Sequence, residues 1–208
     1  MDMKVDPNNV HKINEKKETN RPSKEEAMKA VKTLISWAGD DPGREGLIDT
    51  PKRVVEAYEE FFSGYNEDPY KVLNKTFSDV EGYDDIVFLR DINIETHCEH
   101  HIVPILGVAH VAYLPNEKVV GLSKLARVVE VYCRRLQTQE TLTMQILHTI
   151  NEVLQPRGVA VMIDAKHQCM TTRGIYKPHV STVTTKFSGL FKEDTELRQR
   201  FIRLTQQG

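Results

Sequence analysis

Residues 86–114, IVFLRDINIETHCEHHIVPILGVAHVAYL, decide the fold of this chain. Ile92 and Ile94 alternate with Asn93 and Glu95, the period of two expected where successive side chains face opposite sides of a half-buried strand. After the turn Cys98-Glu99-His100-His101 a second apolar run fills 105–114. Two strands therefore flank a cluster of side chains able to hold a metal and move protons.

Downstream, Ser123 reads as the cap of a helix that turns Leu125, Val128, Val129 and Tyr132 inward. A second helix carries Leu142, Ile146, Ile150 and Val153 before Pro156 and Gly158 stop it. Strands return at 159–165 and 180–187, and Leu197, Phe201 and Leu204 mark a last short helix. The expected core is α+β with the order β-β-α-α-β-β. Upstream, Ser23 and Glu26 form an S-x-x-E capping box ahead of Ala27, Val31, Leu34, Ile35 and Ala38 at helical spacing, and the stretch 39–43 ends that helix. Thr50-Pro51 reads as the cap and first position of another helix, with Val54, Val55, Tyr58, Phe61 and Phe62 on its buried face. The first 22 residues are polar and without hydrophobic period, a mobile tail. The organisation expected is thus a tail over 1–22, a helical region over 23–82 and the main domain over 83–208.

A hydrophobic content of 39% suffices for a real core, and a net charge of −2 gives no basic field to advertise nucleic-acid binding. Three widely spaced cysteines make no disulfide framework and fit a reducing compartment. No window approaches the ~20 apolar residues that span a bilayer, and no signal-peptide hydrophobic region opens the chain. A cytoplasmic protein without nucleic-acid or membrane partners is expected.

The chemistry is concentrated in Cys98-Glu99-His100-His101 and in His167-Gln168-Cys169. Zinc accepts thiolate and imidazole, and a catalytic site offers three protein ligands while leaving a position for water. Cys98 and His101 have the Cys-x-x-His spacing that lets one turn present both groups, and His167 and Cys169, two apart, share a face if the chain there is extended. The remaining imidazoles suit proton transfer near neutral pH. Cys133 falls on a helical apolar stripe and is most simply a core thiol; His11, His110 and His148 have no partner pattern; His97 could pack or support the cluster.

A second constellation concerns anions. Lys124 and Arg127 lie early in the helix begun at Ser123, where the helix dipole disfavours cations. A phosphate meeting backbone amides, the Ser123 hydroxyl and both cations would compensate, and Arg173 could link that anion to the metal cluster. Glu140, beside Gln139, could hydrogen-bond a polar ring such as a purine edge.

Cys98-Glu99-His100-His101, Gly121-Leu122-Ser123-Lys124, Arg135-Leu136-Gln137-Thr138-Gln139-Glu140 and His167-Gln168-Cys169-Met170-Thr171-Thr172-Arg173-Gly174 resemble the successive signatures of the GTP cyclohydrolase I family, and Thr50-Pro51-Lys52-Arg53-Val54 resembles its amino-terminal helical signature. The likeness runs from about residue 24 to the carboxyl end, in order and spacing. It implies the tunnelling fold, subunits side by side in barrels and two stacked rings, commonly a homodecamer with sites between subunits. It implies Zn2+ on Cys98, His101 and Cys169, proton transfer by His100 and His167, and Ser123 among the catalytic residues. Glu140 with Gln139 would hold guanine; Lys124, Arg127 and Arg173, with Ser123 and Arg53, would hold the triphosphate and ribose side. The implied reaction opens the imidazole ring of GTP hydrolytically, releases formate and forms 7,8-dihydroneopterin triphosphate. The chain departs from the family's pattern at Glu56, where a basic residue is frequent, and at His97, Ile105 and His179-Val180. A deazaguanine nitrile reductase of the same fold would use a cysteine nucleophile and a nicotinamide cofactor. A zinc-stabilised assembly protein would need neither the spare histidines nor the anion cluster.

Overall fold

A computed structural model describes residues 21–74, 76–77 and 82–206; the tail expected over 1–22 lies almost wholly outside them. Two compact units divide the chain, the first ending at Glu60 and the second beginning at Phe61. The junction expected near residue 82 adjoins 78–81, which are outside the described residues.

In the first unit, Ser23 caps α1 (Lys24–Trp37) through the expected reciprocal pair: its hydroxyl accepts from the Glu26 amide at 3.2 Å, and the Glu26 carboxylate accepts from the Ser23 amide at 2.8 Å. Gly39, at φ +99°, takes the left-handed conformation that ends the helix. The apolar stripe of α1 is less covered than its spacing suggests. Ala27, Val31 and Ile35 are half-buried, whereas Leu34 is 64% exposed. The second helix, α2 (Thr50–Phe61), buries Pro51 in its first turn, and Lys24 reaches across to Glu59 at 2.9 Å.

The second unit holds a five-stranded sheet in the order β5-β2-β3-β6-β7, with β2 Val87–Cys98, β3 Pro104–Leu114, β5 Leu136–Gln137, β6 Gly158–His167 and β7 Thr182–Gly189. All pairings are antiparallel except the short β2–β5 contact. Alternation along the strands sorts the apolar side chains into two layers. Ile94, Ile105, Ala109, Val111, Val161 and Ile163 meet the inward stripes of α4 (Leu122–Cys133) and α5 (Gln139–Leu154), including Leu125, Val128, Val129, Leu142, Ile146 and Ile150. Ala112, Leu114 and Ala160 form the other layer with Phe191 of α7 (Leu190–Glu193) and Phe201 of α8 (Thr195–Gln206). The expected β-β-α-α-β-β order is the backbone of this unit. Around it lie α3 (Pro69–Leu73), α6 (Gln168–Thr171) and the pair β1 (Thr76–Phe77) with β4 (Val119–Val120).

One element begins differently from expectation. Gly121 is the N-cap of α4, no side chain caps it, and Ser123 already lies within the first turn. Cys133 is a core thiol as expected, and burial pushes it up to about 12.

Candidate active site

The register of β3 brings the two sequence clusters together. Pro104 lies opposite His97 on one side and Ile105 opposite His167 on the other, so the ends of β2 and β6 converge at one end of the sheet. Cys98 closes β2, its amide donating to the Val103 carbonyl at 3.0 Å and its carbonyl accepting from Ile102 at 2.9 Å. This tight turn, with Ile102 at φ +53°, returns His101 toward Cys98, leaving Nδ1 3.9 Å from Sγ. Cys169 arrives by a different route from the one its spacing suggests. The strand ends at His167, and the helical turn α6, not an extended chain, carries Cys169 inward.

Ligand atoms of Cys98, His101 and Cys169 all lie within 4.8 Å of one another, with Cys98 buried, Cys169 half-buried and His101 exposed. Burial, and then the Cys98 sulfur beside it, push the Cys169 thiol up from its ordinary value. Two sulfurs and an imidazole gathered this closely are a donor set that fits a soft divalent ion such as zinc.

The histidines divide by environment. His167 is half-buried; desolvation lowers its pKa and Glu140, in the first turn of α5, opposes that shift. Its Nε2 lies 2.8 Å from Oε1 of Gln139. His100 is exposed, with its ring 6.3 Å from that of His101 and its Nε2 3.9 Å from Glu99. His97 packs: its ring stands 4.8 Å from Phe61 and 5.4 Å from Phe62.

Of the basic residues, Arg173 joins the donor cluster, Nη1 lying 3.0 Å from Nε2 of His101. Arg127 is engaged elsewhere, by both carboxylate oxygens of Glu67 at 3.0 Å and by Glu130 at 2.9 Å. No sequence signal marked Glu67, which is placed from a distance: the buried Arg135 guanidinium, 5.0 Å from the Tyr132 ring, grips the carbonyls of Gly64 and Glu67. Ser123 and Arg127 line a pocket of about 400 Å³ with Asn93, Glu95 and Glu130 of β2 and α4. Among the described residues, no hydrogen bond or ion pair joins Ser123, Lys124 or Arg127 to Cys98, His101 or Cys169. Arg53, in the first unit, is exposed and pairs with Asp49 at 3.5 Å, while Glu56 pairs with Lys52 at 3.8 Å.

Fold and site define a class: an α+β protein whose sheet end gathers a three-donor metal-type cluster beside a half-buried imidazole. Residues 27–206 match the family model described as GTP cyclohydrolase I. GTP cyclohydrolase 1 of Maricaulis maris is 65% identical over 187 residues, 90% of this chain and 91% of that protein. The protein of the same name from Hyphomonas neptunium is 63% identical over the same shares. That of Allorhizobium ampelinum is 59% identical over 91% of this chain and 94% of its own. The chain belongs to the GTP cyclohydrolase I family, and its fold is the tunnelling fold.

Proposed function

We propose that the protein opens the imidazole ring of GTP by hydrolysis and releases formate, with 7,8-dihydroneopterin triphosphate as product, the entry to pterin and folate synthesis. The observation that carries this reading is the convergence of Cys98, His101 and Cys169 beside His167, in a chain of this family. Cys98, His101 and Cys169 would hold Zn2+, which when bound supplies Lewis acidity and a water acidic enough to ionise near neutral pH. His167 and His100 carry protons to and from the purine and the sugar. Glu140, exposed in the first turn of α5 on the His167 side, accepts hydrogen bonds from guanine. Arg173, Lys124, Ser123 and Arg127 meet the phosphates and ribose, with Arg53 adding charge. For Arg127 this requires sharing or releasing the carboxylates of Glu67 and Glu130.

Sheet edges support an assembly. Within the described residues β2 pairs on its outer side only at His97 and Cys98, and β7 has an outer edge that no strand covers. Such edges favour side-by-side pairing of subunits into a barrel, here a homodecamer with sites between subunits. Among the described residues no helix is long and apolar enough to cross a membrane, in keeping with a cytoplasmic enzyme.

Purified protein should release formate from GTP and lose that activity on chelation, regaining it with zinc. Reduction of a nitrile with a nicotinamide cofactor, without formate, would favour the reductase reading. Bound zinc with neither activity would leave an assembly protein.

A further inference from the structure

The segment 63–67, which no sequence motif marks, is fastened to the end of α4 at several points. Its turn Ser63–Asn66 lies so close that a Cβ at Gly64 would run into the carbonyl oxygens of Val131 and Arg134, and the Gly64 amide donates to the Arg134 carbonyl at 3.1 Å. The Tyr65 hydroxyl accepts from the Leu136 amide at 3.1 Å. Arg135, 6% exposed, closes the junction: Nε donates to the Gly64 carbonyl and Nη2 to the Glu67 carbonyl, each at 3.0 Å, with the guanidinium 5.8 Å from the Tyr65 ring and 5.0 Å from that of Tyr132. A buried guanidinium that spends its donors on backbone carbonyls fixes the path of the chain.

What this fastening delivers is the Glu67 carboxylate. Both its oxygens lie 3.0 Å from Nη2 of Arg127, while Glu130 takes Nη1 at 2.9 Å. An exposed ion pair by itself contributes little, because two mobile side chains must be ordered to make it. Here one partner hangs from a backbone that is already fixed. These contacts engage at most three of the five N–H groups of a guanidinium, so Arg127 can be held by carboxylates and still meet an anion in the pocket it lines with Ser123.

We propose that Glu67 is a positioning residue for the anion end of the site: carried by Arg135, its carboxylate holds the Arg127 guanidinium in the orientation that meets phosphate, and Glu67 itself touches no part of the substrate. This rests on the reading of Arg127 as a phosphate contact. The charge of Glu67 alone argues for the reverse effect, since a carboxylate beside a polyanion repels it and competes for the same cation. The two roles therefore predict opposite signs. Removing a competitor tightens the anion, whereas removing a support loosens it.

The test uses the zinc-loaded assembled enzyme and compares Glu67→Ala, Arg127→Ala and the double variant. Formate release from GTP gives KM and kcat, and calorimetry with inorganic triphosphate and with guanosine gives affinities without turnover. Glu67→Ala should raise KM for GTP about tenfold with kcat within about threefold of wild type, and should weaken triphosphate by a similar factor while guanosine binds as before. The double variant should bind triphosphate no more weakly than Arg127→Ala alone, because Glu67 acts through that guanidinium. Arg135→Lys, whose single ammonium cannot span both carbonyls, should weaken triphosphate in the same direction, and undiminished affinity there would contradict the fastening. Tighter or unchanged triphosphate binding in Glu67→Ala, an equal weakening of guanosine, or losses that multiply in the double variant would overturn the proposal. Wild-type enzyme that released no formate would instead defeat the functional reading, and the triphosphate affinities would still decide the role of Glu67.

Discussion

Cys98 and Cys169 are brought together only by folding, so a metal held by them would add its binding free energy to the stability of the fold. Cys98→Ser and Cys169→Ser should each remove the metal and abolish turnover, since a hydroxyl is a poor substitute for thiolate; elemental analysis alongside the formate assay measures both. Cys133→Ser is the control, because that thiol is sealed in the core, and zinc lost there but kept in Cys169→Ser would reassign the ligands. The two histidines proposed as proton carriers should separate from the proposed ligands in the same way. His100→Ala and His167→Ala should retain zinc and bind GTP, yet lose turnover by ~10²-fold or more. Full activity in either would remove that histidine from the chemistry. Cys98 and His101 were legible because one short turn holds both; the hydrogen bonds of Gln139 were not, since its acceptor on β7 lies 43 residues away and no local pattern announces it.

Among the elements, β3 carries the geometry of the site, because its register alone sets the ends of β2 and β6 side by side. Gly107 lets β3 and β6 approach at that end: a Cβ would run into the carbonyl oxygen of Asp164 and into Ala165. Gly107→Ala should therefore cost about 1–3 kcal/mol, read as a lowered unfolding midpoint, and should weaken metal retention as well. Unchanged stability and zinc would show that the strands separate freely. Further along β3, His110 is buried, and its Nδ1 accepts from the amide of Asp91, which sits at φ +57° where β2 slips register. Burial holds His110 below its ordinary 6.5, with Asp91 opposing. The unfolded chain thus binds more protons at this ring than the folded one once the pH falls below 6.5, so stability is present above that value and declines beneath it. Burial shifts His97 and His167 in the same direction. Thermal unfolding followed from about pH 8 to pH 5 should show a shallower acid decline in His110→Gln than in wild type, and equal slopes would exclude His110 as a source. Strands and long helices were legible from apolar period. The start of α4 was not, because Gly121 and Ser123 both suit a helix beginning, and the turn carrying Cys169 was not, because four residues show no period.

At the scale of the molecule, Arg173 meets His101 of the donor cluster, whereas among the described residues no hydrogen bond or ion pair joins Ser123, Lys124 or Arg127 to the three donors, and a site shared between subunits would bring both groups to one substrate. Nothing in a one-dimensional pattern tells whether Lys124 serves the Cys98 of its own chain or that of a neighbour; among the described residues, the open edges of β2 and β7 offer a way for a second subunit to bring them together. If sites are shared, two variants that are each inactive should rescue one another. Cys169→Ser would lack a ligand, and Lys124→Ala would lack a phosphate contact. In oligomers assembled at random from equal amounts, a site drawing its donors from one subunit and its lysine from the next has both intact in about one case in four. Dissociating the two variants, mixing and reassembling them with zinc should therefore restore about a quarter of wild-type formate release, where each reassembled alone restores almost none. Native mass spectrometry must show mixed oligomers for the result to count. Mixed oligomers without recovered activity would mean that Lys124 and Cys169 serve the same site from one chain, and the shared-site reading would fall although the chemistry of the donors could stand.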